Sequence, residues 1–385
     1  MNWKLSFPKR KFYHTIYVVL VLLCFISLFA SYSLTGEIWS TLLEWGLGLL
    51  IVLLTQKINY KRLNKGASFF LLASFVLLIV TVIFGSGGGG RSLTVGGHAI
   101  QTFYIVTVGV IFYLCTSLAR KLMRQEQISR GDAIGLMVLI SIFCGLMALR
   151  NLSMAILLFV TAVSLLYVAG VNLRYIGIYF VIIIVAGAAY LWHGSVKESR
   201  RLADATTTEE SKDRGSTAFN RVKYWATGES DSEGYGRQMT LARTAVARSS
   251  HWPQPGKGLI KNKMAEGEND FVFSLICEEL SVWVAFFIVL TYIILFYNAT
   301  FVARKAKGNF VKFFSLSIGI LIATQAFIHI GTNVNLIPAT GQTLPFISRG
   351  LTSLLVTFGL VGMLINMARQ VESKADPDDQ DLMLE

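Results

Sequence analysis

Apolar residues run along this chain in blocks too long for ordinary soluble helices. Each block holds about 17–25 mostly apolar residues, the length a helix needs to cross the hydrocarbon of a bilayer. They predict spans near 13–33, 37–55, 67–86, 100–119, 133–149, 152–171, 174–192, 271–300, 312–332 and 350–368. Almost nothing separates the sixth from the seventh. After the seventh the pattern changes. Residues 193–269 are polar and too long for a mere connector. Amphipathic stretches around Ala218–Thr227 and Gln238–Arg248 suit a membrane surface or the cap of a cavity. The expected fold class is an all-α integral membrane protein of about ten transmembrane helices. One membrane domain would span 1–385, with a large extracytoplasmic loop at 193–269 and a cytoplasmic tail at 370–385.

Composition supports lipid as the solvent. Of 385 residues, 54% are hydrophobic and 15% charged, and mean hydropathy is +0.56. A soluble domain carries about 25% charge. The net charge of +12 sits largely in short clusters between apolar runs, which points to membrane orientation rather than to nucleic acid. No basic surface interleaved with aromatics is present, so no nucleic-acid partner is expected. With the N-terminus cytoplasmic, the inward segments hold nineteen Lys and Arg, and the short outward loops hold only Arg91, Arg150 and Arg349. Ten spans then put both termini inside, with Asp376–Glu385 as a disordered acidic end. The first apolar run lacks a small-residue cleavage site and reads as an anchor. Cys24, Cys115, Cys144 and Cys277 lie inside apolar runs without a CxxC, as small buried hydrophobes. The Gly87–Gly90 run is followed by Arg91 rather than Gly-Lys-Ser/Thr, so it is a flexible outer turn and no phosphate loop.

Ionisable groups in membrane spans are costly and each needs a reason. Glu44 lies in the second span, facing a polar interior or protonated. Glu278 and Glu279 lie two turns into the eighth. Gln325 and His329 share a face of the ninth, as a polar helix–helix contact. Asp270 stands where the long loop meets an apolar helix, in Gly267-Glu268-Asn269-Asp270-Phe271. It serves there as a helix cap or as a general base at the membrane–water boundary. Local sequence leaves both open. Between the ninth and tenth spans, Pro338-Ala339-Thr340-Gly341 and Leu344-Pro345-Phe346-Ile347-Ser348 predict a shaped re-entrant or surface turn. Arg349 at its end suits phosphate binding or interfacial anchoring.

These segments resemble the SEDS family (shape, elongation, division and sporulation), which includes FtsW, RodA and SpoVE. The last signature of that family, Leu-Pro-x-x-Gly-x-x-Leu-Pro-Phe-Ile-Ser, is similar to Ile337-Pro338 through Ser348 here. Gly256-Lys257-Gly258, Lys263, Asn269-Asp270-Phe271 and Glu278-Glu279-Leu280 match the signature before the eighth span. Arg221, Trp225 and Gln238 look like its loop elements, and the resemblance covers essentially the whole chain. Departures stand at Ser92, Tyr104, Arg150-Asn151 and Arg349-Gly350-Leu351, marking a divergent branch.

The resemblance implies a peptidoglycan glycosyltransferase in the bacterial cytoplasmic (inner) membrane, of the division (FtsW-like) type more than the elongation type. Lipid II is the implied substrate. Other implied partners are a class B penicillin-binding protein (a single-span transpeptidase), further cell-division proteins and membrane lipids. Asp270 becomes the expected catalytic base. Arg91, Arg221, Lys257, Lys263, Ser348 and Arg349 become the expected substrate-binding residues. A divalent cation, Mg2+ or Mn2+, suits pyrophosphate chemistry, although no metal cage is visible in the sequence. Two other readings stay open, a lipid II flippase or other transporter and a non-catalytic scaffold of the division machinery.

Overall fold

Uninterrupted runs of Leu, Ile, Val and Phe satisfy their backbone internally as helices, which is the arrangement a bilayer demands. The computed structural model describes residues 12–85, 92–95, 98–124, 128–203, 214–228, 235–264 and 267–373. In chain order the helices are α1 (Phe12–Thr35), α2 (Trp39–Thr55), α3 (Tyr60–Leu63), α4 (Ala67–Phe84), α5 (Thr102–Met123), α6 (Arg130–Ala148), α7 (Leu152–Val168) and α8 (Leu173–Ala203). There follow α9 (Arg214–Thr227), α10 (Tyr235–Ala247), α11 (Gly267–Asp270), α12 (Val272–Leu280), α13 (Val282–Lys305), α14 (Asn309–Asn333) and α15 (Leu351–Ser373). Among the described residues, eight helices are long and apolar enough to cross a membrane, and α2 and α7 are apolar helices of 17 residues each. Together they reproduce the expected ten spans. The predicted Gly87–Gly90 turn, Arg91 and the acidic end Asp376–Glu385 lie outside the described residues.

Three features depart from the expectation. The eighth span is not one helix. It breaks at Ser281, whose φ of 105° and ψ of 160° are a backbone conformation that glycine alone adopts easily. The break leaves a short buried helix, α12, before the full-length α13. A small antiparallel hairpin pairs β1 (Leu93–Val95) with β2 (His98–Ile100) ahead of α5; strands this short leave no clear mark in the sequence. Finally, α8 continues to Ala203, past the expected end of the seventh span. The two amphipathic stretches of the loop do become helices, α9 and α10.

Close packing rests on small residues, as in membrane bundles generally. A Cβ on Gly362 of α15 would lie 2.0 Å from Thr55 Oγ1 of α2, and one on Gly48 of α2 would lie 2.1 Å from the Phe358 ring of α15. Trp45, Phe346 and Phe358 form an aromatic knot beside that seam, with Phe346 and Phe358 edge to face at 5.1 Å. The knot holds the turn before α15 against α2.

Candidate active site

The site is built where two irregular segments, the turn of Asp270 and the 338–348 turn, meet at the end of the bundle away from the main basic clusters. Asp270 closes the one-turn α11, is half-buried, and is separated from α12 by Phe271 alone. Its position is set from α14. Asn333, fully buried, donates from Nδ2 to the Asp270 carbonyl (3.1 Å) and to the His329 carbonyl (2.8 Å). Its Oδ1 accepts from the Ser274 amide of α12 at 2.9 Å. One amide side chain thus fixes the turn that carries the carboxylate.

The same face of α14 holds the second irregular segment. Gln325 Nε2 donates to the Thr343 carbonyl at 3.0 Å, and His329 Nδ1 lies 2.6 Å from the Gln342 carbonyl. Tyr292 of α13 donates to the Pro345 carbonyl. Phe346, buried in the aromatic knot, takes a φ of 67° that side-chain-bearing residues rarely adopt. Packing therefore holds a strained turn in place. The expected helix–helix contact is made by Gln325, which donates from Nε2 to the Tyr104 hydroxyl of α5 at 3.4 Å, and the same face of α14 also anchors the 338–348 turn.

Ser348 joins the two segments. Its hydroxyl donates to the Asn269 carbonyl at 2.7 Å and accepts from the Leu344 amide at 2.8 Å. Arg349 follows it, with Nη1 2.8 Å from Glu268 Oε2 and Nη2 donating to Thr35 Oγ1 of α1 at 3.0 Å. Glu44 of α2 lines the same narrow crevice as Thr35, Glu268 and Arg349, and its volume of about 20 Å³ is room for one water. The structure thus gathers Asp270, Ser348 and Arg349 around one junction.

The other expected residues sit farther out. Arg221 of α9 is half-buried and donates from Nη1 to the Ala339 carbonyl at 3.3 Å. Nearby, Trp225 Nε1 donates to the Asn335 carbonyl at 3.1 Å, so α9 docks on the 335–339 turn. Lys257 and Lys263 are exposed on the 250–264 segment, and among the described residues neither side chain is ion-paired. Glu278 and Glu279 of α12 hold that segment down. Glu278 is 3.2 Å from Arg248 Nε and accepts from the Leu259 and Ile260 amides. Glu279 is 3.1 Å from Lys261 Nζ and accepts from the Gly256 amide at 2.9 Å and from Ser33. A Cβ on Gly258 would come within 2.6 Å of the Glu279 carboxylate, so this contact needs glycine.

Sequence reasoning missed Asn333, Glu268 and Lys261. Asn333 extends the Gln325–His329 stripe by one further turn of four residues, a signal present in the sequence. Lys261 and Glu268 are partners defined only by folding. Among the described residues no three His, Cys, Asp or Glu side chains gather as a metal site, and Glu268 is engaged by Arg349. These donors do not build a cage for a divalent cation. A larger, mainly apolar cavity of about 390 Å³ lies between α2, α4, α5 and α15, lined by Phe70, Leu77, Phe112 and Leu360 among others.

Residues 8–373 match a family model for FtsW, RodA and SpoVE, described as cell cycle protein. A probable peptidoglycan glycosyltransferase FtsW from Trichlorobacter lovleyi is 27% identical over 330 residues, 82% of this chain and 79% of that one. A protein of the same description from Aliivibrio salmonicida is 27% identical over 361 residues, 90% of this chain and 84% of that one. In fold, the chain resembles a solved peptidoglycan synthase complex described as coordinating polymerization and crosslinking, with a TM-score of 0.74 at 19% identity, covering 92% of this chain and 97% of that one. It also resembles the rod shape determining protein RodA of Thermus thermophilus, with a TM-score of 0.65 at 18% identity, covering 96% and 99%.

Proposed function

The chain belongs to the FtsW/RodA/SpoVE family of cell cycle proteins, and from that premise we propose that it is a peptidoglycan glycosyltransferase. It polymerises lipid II at the outer face of the bacterial cytoplasmic membrane. The observation that carries this reading is the placement of Asp270. A half-buried Asp270 sits at a helix junction, its backbone carbonyl bonded by Asn333, while Ser348 and Arg349 from another segment bond the two residues before it, Asn269 and Glu268.

In this mechanism Asp270 takes the proton of the acceptor's 4-hydroxyl as that oxygen attacks the anomeric carbon of the donor strand, with inversion. The bond to undecaprenyl pyrophosphate breaks, and fixed cations meet the charge as it develops. Arg349, paired with Glu268 at the junction, is the first candidate. Arg221, Lys257, Lys263 and Arg91 are the further candidates. A one-water crevice does not admit a pyrophosphate, so Arg349 exchanges Glu268 and Thr35 for phosphate oxygens when donor binds.

The named relatives are of the FtsW type, which supports a role in division over elongation. The fold's likeness to a synthase complex that polymerises and crosslinks supports a transpeptidase partner of the class B penicillin-binding type. A transport reading needs polar groups along a conduit. The buried Glu278, Glu279, Gln325 and His329 instead anchor loops, which favours the polymerase. The test is purified chain plus its transpeptidase partner, given labelled lipid II. Glycan chains on a gel are expected. Transfer of lipid II across liposomes without any polymer would overturn the reading in favour of a flippase.

A further inference from the structure

At the end of the bundle opposite Asp270 lies a cavity of about 620 Å³ that plays no part in the chemistry above. Its walls come from the ends of membrane helices. They are Lys305 at the end of α13, Asn309–Val311 at the start of α14, Met123 at the end of α5, and Gln370 and Val371 in the last turns of α15. Tyr60 of α3 and Asn64 complete it. The cavity therefore sits at the level where spans leave the hydrocarbon.

The lining has a consistent chemistry. Lys305 and Lys307 are both exposed, and among the described residues no carboxylate lines the cavity. Lys305 Nζ leans toward the Phe301 ring at 5.4 Å. The floor is apolar, with the Tyr60 and Phe310 rings stacked at 5.5 Å and 15°. Asn64, Asn309 and Gln370 add polar groups to the lining. Two cations above an apolar floor match an amphiphile with an anionic head, and the size falls within the 300–1,000 Å³ usual for ligand sites. A soluble anion would gain nothing from the aromatic floor. This is also the face with the Lys and Arg excess, which the positive-inside rule assigns to the cytoplasmic leaflet, where anionic lipids concentrate.

We propose that this cavity binds the phosphate headgroup of an anionic glycerophospholipid, gripped by Lys305 and Lys307, with the start of its acyl chains on the Tyr60–Phe310 floor. The site is independent of the proposed catalytic chemistry.

The test uses the full chain in detergent, with bound lipid measured by native mass spectrometry during titration with phosphatidylglycerol or phosphatidylcholine. Phosphatidylglycerol is expected to bind preferentially. The double variant Lys305→Gln/Lys307→Gln should weaken it by about thirtyfold, from about 1 kcal/mol per lysine near an anionic surface. A control, Lys57→Gln/Arg174→Gln, removes the same charge from exposed positions on the same face but outside the cavity, and should bind as the parent does. Unchanged binding by the first variant, or an equal loss in the control, would overturn the proposal. So would displacement of the lipid by an equal concentration of inorganic phosphate, which would mark a site for free anions.

Discussion

Asn333 spends both amide hydrogens and its oxygen on backbone groups, and the residues it joins belong to the segments that make the site. Replacing it with Ala takes the side-chain partner from the Asp270 carbonyl and the Ser274 amide, each costing about 1–3 kcal/mol where water cannot repair it. The expected result for Asn333→Ala is a less stable protein whose polymerisation kcat falls at least about tenfold, with KM for lipid II little changed, since the misplaced group acts in the chemical step. Asn333→Asp keeps the acceptor for the Ser274 amide and loses the amide donors to the Asp270 and His329 carbonyls. A parental kcat in that variant would remove Asn333 from the positioning of Asp270.

Among the elements, α12 has the most to hold. Its glutamates tie down the 250–264 segment, which bears Lys257 and Lys263, and a buried charge that loses its partner is strongly destabilising. Glu279→Gln leaves Lys261, itself mostly buried, without its counter-charge. The segment should loosen, and trypsin should cut after Lys257, Lys261 or Lys263 several times faster than in the parent. Equal cleavage rates would mean the ion pair does not secure the loop. The limits of sequence reasoning also show at this scale. The spans were legible because lipid imposes one composition over about 20 residues. The break at Ser281 was not, because Leu280-Ser281-Val282 contains neither Gly nor Pro; tertiary contacts impose the conformation, including the Val282 amide bonded to the Ser250 carbonyl at 3.1 Å. Asp270 and Ser348 stand out in the sequence through their motifs. The Glu268–Arg349 pair was hidden, since its halves are distant in the chain and either reads alone as a surface charge.

For the whole molecule, the proposed chemistry requires Asp270 and the Lys305–Lys307 cavity to face opposite compartments. Cysteines introduced at Lys257 and at Lys307 test this in intact cells whose outer barrier is permeabilised. A membrane-impermeant thiol reagent should label Lys257→Cys and spare Lys307→Cys until the cytoplasmic membrane is breached. The reverse pattern would invert the chain and place the carboxylate away from externally displayed lipid II. Orientation is a precondition; the chemistry itself rests on one side chain. The most direct measurement compares parent and Asp270→Asn, each purified with the transpeptidase partner and given labelled lipid II, with a melting curve as the check on folding. General-base catalysis contributes about 10²–10⁴-fold, so Asp270→Asn should melt like the parent and form glycan chains at least about a hundredfold more slowly. Chains formed at the parental rate by a folded Asp270→Asn would contradict the assignment of Asp270 as the base.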